Sequence, residues 1–126
     1  VEDQLENNIT HIGFWLEESW NMVEKVKDEE YQQEAVHLLV IAAAFFTVLQ
    51  DFHNELDEPC IDFCIYTILN ILSLIRAQVK LFKRAGFTSL DAILKQKTLS
   101  LMINIRHQSI ADFKALIEKY GLSGLY

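Results

Sequence analysis

Proline and glycine are scarce in this chain, with one Pro and four Gly in 126 residues. An all-β sandwich or barrel needs many tight turns, and these residues supply them, so that class is excluded first. Two cysteines are too few for a disulfide framework or for a four-thiolate zinc site. No Gly-x-Ser-x-Gly, Gly-rich phosphate loop or Walker-type lysine occurs, so nucleophilic and phosphoryl chemistry have no foothold and an enzyme is not expected. No basic stretch followed by a short apolar one opens the sequence, so a signal peptide is not expected. The opening Val fits a segment cut from a longer protein.

Basic residues are rare in the first half. Through Asp62 there are fifteen acids against two lysines, a net of −13; from Phe63 onward nine bases face three acids, a net of +6. An overall charge of −7 makes nucleic acid a poor partner, because phosphate-backbone binding is driven by Lys and Arg releasing counterions. The asymmetry is expected to arise because the two halves face each other within one fold.

Helical periodicity dominates what is present. Leu5, Ile9, Ile12, Leu16, Val23 and Val26 recur at spacings of three and four, broken only at Ser19. A second run comprises Ala35, Leu38, Ala42, Phe45, Leu49, Phe52 and Leu56, and a third Ile65, Ile68, Leu72, Ile75, Val79 and Phe82. Each run sets one apolar stripe along a helix, ready to be buried against neighbours. Asp28 and Asp57 suit helix starts, the second followed by Pro59 in the first turn; Gly86 and Gly121 suit helix ends after basic residues. Thr88 or Ser89 is the expected cap of a fourth helix. In that segment Ile103, Ile110 and Ile117 fall out of phase with Leu90, Ile93 and Leu94. A bend or break is therefore expected near Lys95–Thr98, with Thr98 able to cap a separate final helix.

The expected fold is all-α: one domain over residues 1–126, an antiparallel up-down four-helix bundle with a bent or broken fourth helix. That topology puts the first and third turns at the same end, with Asp28, Glu29, Glu30 and Glu34 near Lys80, Lys83, Arg84, Lys95 and Lys97. Residues 36–46, VHLLVIAAAFF, are too short to cross a membrane: about 14–17 Å of helix against the ~30 Å of a hydrocarbon core. A helix apolar on all sides is a buried helix, so its extra face, with Val40 and Ala44, needs cover from the fourth helix or from a second chain.

Several residues invite a chemical reading. Glu34 and His37 form a Glu-x-x-His, the spacing used in di-iron bundles, but the single copy and the shortage of acids on the later helices leave the ligand count unmet. His11, His53 and His107 are not expected to converge with His37, and neither a metal nor a cofactor is expected. Cys60 and Cys64, four apart beside Asp57, Glu58 and Asp62, read as reduced and mostly buried thiols, which fits a reducing, cytoplasmic setting. Arg106 falls where a heptad stripe would run and is expected to close a bundle edge or pair with carboxylates of the first helix. Arg76, Lys80, Lys83 and Arg84 form a basic rim at the end of the third helix, suited to an anion or to a partner.

The sharpest sign of a partner is on the first helix. Phe14 points away from the core stripe, and Trp15 and Met22 lie on its flank; aromatics and Met are enriched at interface cores. Together with Val40 and Ala44 they make the expected contact surface. The function expected is non-catalytic: a regulatory, adaptor or chaperone-like module that binds protein through a helical face, and does so as a homodimer. On this reading Phe14→Asp or Trp15→Asp abolishes association and leaves helicity intact. The alternative is a bundle holding a small apolar ligand or tetrapyrrole in its interior, near Ala42, Ala43 and Ala44.

Overall fold

The computed structural model describes residues 2–122, with the side chains of Glu2 and Asp3 left aside. It is a bundle of four helices: α1 (Glu2–Glu24), α2 (Glu29–Phe52), α3 (Glu58–Arg84) and α4 (Ala92–Tyr120), with a 3-10 turn at His53–Glu55.

The capping chemistry sets the boundaries. Asp28 accepts the N–H of Tyr31 at 3.1 Å, and Asp57 accepts that of Cys60 at 2.9 Å; each meets one of the unpaired donors of a helix start. Helix α4 is capped by Asp91, which accepts from Leu94 N, and not by Thr88 or Ser89. The cause is a longer α3–α4 loop. Gly86 and Phe87 both take positive φ, 73° and 61°, and Thr88 spends its hydroxyl on the Ala85 carbonyl at 2.9 Å. Helix α1 ends without glycine. Its last carbonyls, on Val23 and Glu24, and that of Val26 in the loop beyond instead accept the side-chain amide of Gln32 at 3.1–3.3 Å.

Lys27 N donates to Phe87 O at 2.7 Å, which ties the α1–α2 loop to the α3–α4 loop and puts both at one end of the bundle, as the up-down topology requires. The same end carries a charge pair with a buried carboxylate and a partly exposed ammonium. The Asp28 carboxylate, mostly shielded from water, lies 2.9 Å from Lys95 Nζ, and Glu30 lies 3.1 Å from the same ammonium. Burial works to raise the Asp28 pKa. Lys95 and the N–H groups of Tyr31 and Glu30 override it, so the group titrates below its ordinary value. A carboxyl depressed in the folded state contributes stability above the unfolded pKa and loses it as pH falls through the folded one. Asp28→Asn keeps the cap and removes the charge. It should therefore unfold at lower urea than wild type at pH 7, with the two curves converging as pH falls below the ordinary Asp value of 3.8. Curves that stay parallel to that pH would refute the assignment.

The core is centred on α2, which packs against all three other helices; α1 also packs on α3, whereas α3 and α4 touch at only a few points. Helix α4 thus supplies much of the cover that the apolar faces of α2 demanded. Gly13 permits a close approach of α1 to α2: a Cβ there would lie 3.1 Å from the Phe46 ring. By length and composition alone, Glu29–Glu55 and Glu58–Arg84 are long and apolar enough to cross a membrane. Each stretch extends well beyond the unbroken apolar run at 36–46 or lies apart from it. In the bundle the same side chains, Leu38, Leu39, Phe45, Ile68, Ile71 and Ile75, form the buried centre.

Helix α4 is unbroken from Ala92 to Tyr120, so the expected break at Lys95–Thr98 is absent. The two apolar phases are reconciled because polar residues fill core positions. Thr98, Met102, Ser109 and Leu116 are buried, with Leu94, Ile105 and Phe113 partly so, and these share one continuous face. The out-of-phase Ile93 and Ile110 are left exposed. Ser19 does the same in α1: it is fully buried on the stripe it was thought to interrupt.

Candidate functional site

Cross-helix charge contacts account for the uneven distribution of acids and bases. Among the described residues each one joins an acid of the first half to a base of the second: Glu18 to Arg76 at 3.0 Å, Asp28 and Glu30 to Lys95, and Glu34 to Arg106 at 3.4 Å. Of the acids and bases expected to meet at the loop end, Asp28, Glu30 and Lys95 do. Glu34 pairs further along α4, and Lys80, Lys83 and Arg84 remain exposed.

The Glu-x-x-His is engaged by an arginine. Arg106 Nη1 donates to His37 Nδ1 at 3.0 Å, which assigns the proton of the neutral ring to Nε2, and the same nitrogen lies 3.4 Å from Glu34 Oε2. Arg106 therefore closes an edge, as expected, but its carboxylate is on α2 and not on α1. The group clamps α4 to α2. Among the described residues no three His, Cys, Asp or Glu side chains are placed to share a metal ion.

Cys60 and Cys64 are both free thiols, the first half-buried and the second buried. Burial, with Cys60 beside it, pushes the Cys64 thiol up to about 12, so it stays protonated and unreactive at neutral pH. Cys60 opens onto a groove of about 350 Å³ between the start of α3 and the end of α4, with Pro59, Phe63, Leu116 and Tyr120 in its walls. A second groove, about 490 Å³, continues along the same seam past Phe63, Asn70, Leu74 and Ile105. The seam is open because α4 leans on α2 and not on α3.

On the other flank of α3, Trp15 borders a groove of about 320 Å³ with Leu69, Leu72, Ser73 and Arg76, and a smaller one with His11 and Ile65. Helix α3 is thus an outward ridge with an apolar furrow on each side. Tyr66, 67% exposed, and Phe63, 43% exposed, stand on it. Isolated exposed apolar side chains are ordinary, whereas aromatics are enriched at association surfaces.

The residues expected to form the contact surface are dispersed. Trp15, 39% exposed, joins the α1–α3 furrow, with Met22 half-buried two turns further along α1. Phe14 is 64% exposed, but it lies about 100° around the helix from Trp15 and lines none of these grooves. Val40, 53% exposed, and the half-buried Ala44 are on α2 and line none of them either. Of the basic rim, Arg76 is held by Glu18 beside the Trp15 furrow, and Lys80, Lys83 and Arg84 are exposed along the end of α3. The interior near Ala42–Ala44 is occupied by Phe45, which meets Phe113 edge-on at 5.2 Å between ring centroids.

Phe63 and Tyr66 were missed because only the buried stripe of α3 was traced. Following the opposite face, Glu58, Asp62, Tyr66, Asn70, Ser73 and Ala77, would have shown an aromatic on an otherwise small and polar stripe. No family model, no curated protein and no solved structure matches this chain.

Proposed function

We propose that the protein is a non-catalytic interaction module, of regulatory, adaptor or chaperone-like type, that binds protein through the outward ridge of α3 and its flanking furrows. One observation carries the reading: Phe63 and Tyr66 stand exposed between apolar grooves, with Trp15 at the edge. Burying such rings against a partner releases far more apolar surface from water than a lone exposed side chain could. The surrounding charges set which partner is accepted more than how tightly it is held. In this reading α2 and α3 remain in the bundle and do not enter a membrane, and the two free thiols support a reducing, cytoplasmic setting.

The test is site-directed photo-crosslinking in living cells. A benzophenone amino acid at position 66 should yield protein adducts on illumination, and the same group at the exposed Gln33 on α2 should not. No adduct from position 66, or equal yields from both positions, would overturn the reading.

A further inference from the structure

The exposed stripe of α3 carries a charge gradient. It begins with Glu58 and Asp62, passes through Tyr66, Asn70, Ser73 and Ala77, and ends with Lys80 and Arg84, all exposed and spaced by three or four residues on one helix face. Acids occupy one end, bases the other, and the middle is small or aromatic. Helix α3 runs from 58 to 84, so its midpoint is residue 71. A two-fold axis through that midpoint, perpendicular to the helix, lays a second α3 antiparallel on the first. It puts Glu58 opposite Arg84 and Asp62 opposite Lys80, each pair occurring twice.

We infer that the occupant of this ridge is a second copy of the same chain, docked α3 to α3 in antiparallel register about residue 71. The inference rests on the reading of α3 as the binding ridge and names its partner. Self-complementarity is the property an isologous interface requires: whatever one copy offers at i, the other must match at j, and the reverse. The gradient meets that condition. A parallel pairing would set acids on acids and bases on bases. The small side chains of Asn70, Ser73 and Ala77 let two helices approach closely. At a crossing near 20° the long side chains of Lys80 and Arg84 still reach the acids opposite. Tyr66 falls opposite Arg76 and Ala77 of the second copy, and Phe63 and Trp15 border the contact from the two furrows.

Sedimentation velocity of the whole chain, from about 1 to about 300 µM, reads the outcome directly. The expected species has twice the 14.6 kDa chain mass. Tyr66→Asp should leave a monomer with unchanged circular dichroism. Asp62→Lys, which sets like charges together at two places in the dimer, should weaken it roughly tenfold, and adding Lys80→Asp to the same chain should restore it. Rescue by the double exchange is the outcome that an incidental loss of solubility or folding cannot imitate. A dimer abolished by Phe14→Asp or Val40→Asp but not by Tyr66→Asp would place the interface elsewhere and overturn the inference. So would a dimer indifferent to both charge changes. A monomer at every concentration overturns it too: if position 66 still crosslinks to a different protein, the binding ridge stands and only its occupant is wrong, whereas no adduct removes both.

Discussion

Phe45→Ala is expected to destabilise the protein by about 3–5 kcal/mol, the range for losing a fully buried ring. Phe45 has no solvent exposure and lies on the central helix. Its ring meets Phe113 of α4 at 5.2 Å and Phe63 of α3 at 6.4 Å, both edge-on. Helices α3 and α4 barely touch each other, so this ring is a principal bridge between them. Alanine would leave a hole beneath the open seam and release Phe63 from one of its contacts. Urea unfolding followed by circular dichroism measures the loss as a lower midpoint at similar slope. A change below about 1 kcal/mol would show that the seam collapses to fill the space.

Arg106→Ala should cost about 2–3 kcal/mol, more than a surface charge is worth, because the consequence falls on Glu34. Glu34 Oε2 is shut off from water and accepts no hydrogen bond, so Arg106 at 3.4 Å is what offsets its charge. His37 loses a donor at the same time. Removing both charges is expected to be milder than removing the cation alone: Glu34→Leu combined with Arg106→Leu should recover most of the stability. A double-mutant cycle by denaturant unfolding decides this. If the single and double variants are equally destabilised, packing of the arginine stem and not its charge holds α4 in place.

The sequence showed the helices more clearly than it showed their outer faces. Aliphatic residues at three-and-four spacing leave little freedom, and Ile12, Leu38, Phe45, Ile68 and Ile75 are buried where their stripes put them. Helix α4 departs from its apolar pattern because hydrophobicity is not the only mark of the inside. Thr98 and Ser109 occupy core positions, and nothing in their identity announces it. Pairing within the molecule was foreseen from the charge halves, but which acid meets which base depends on helix register: Arg106 found Glu34, not α1. The proposed binding ridge was harder still. Trp15 was legible as a flank residue and Tyr66 is visible on the outer stripe of α3, but Phe63 becomes notable only once α3 is known to stand between two furrows. That placement follows from α4 settling against α2, a choice made by packing across the whole chain.

Attachment of α4 mainly through α2 divides the molecule energetically. Helices α1, α2 and α3 share mutual contacts, whereas the last helix is held by the apolar side of α2, the Arg106 clamp and the Lys95 tether. Peeling it away would forfeit one interface and leave a three-membered core with its own closed set of contacts. Excursions of that sort sit at the low end of a protein's free-energy ladder, well below global unfolding. The seam beside Cys60 and Phe63 would widen with each such departure, so its breadth in solution is governed from the far side of the molecule, by how firmly α2 grips its last companion.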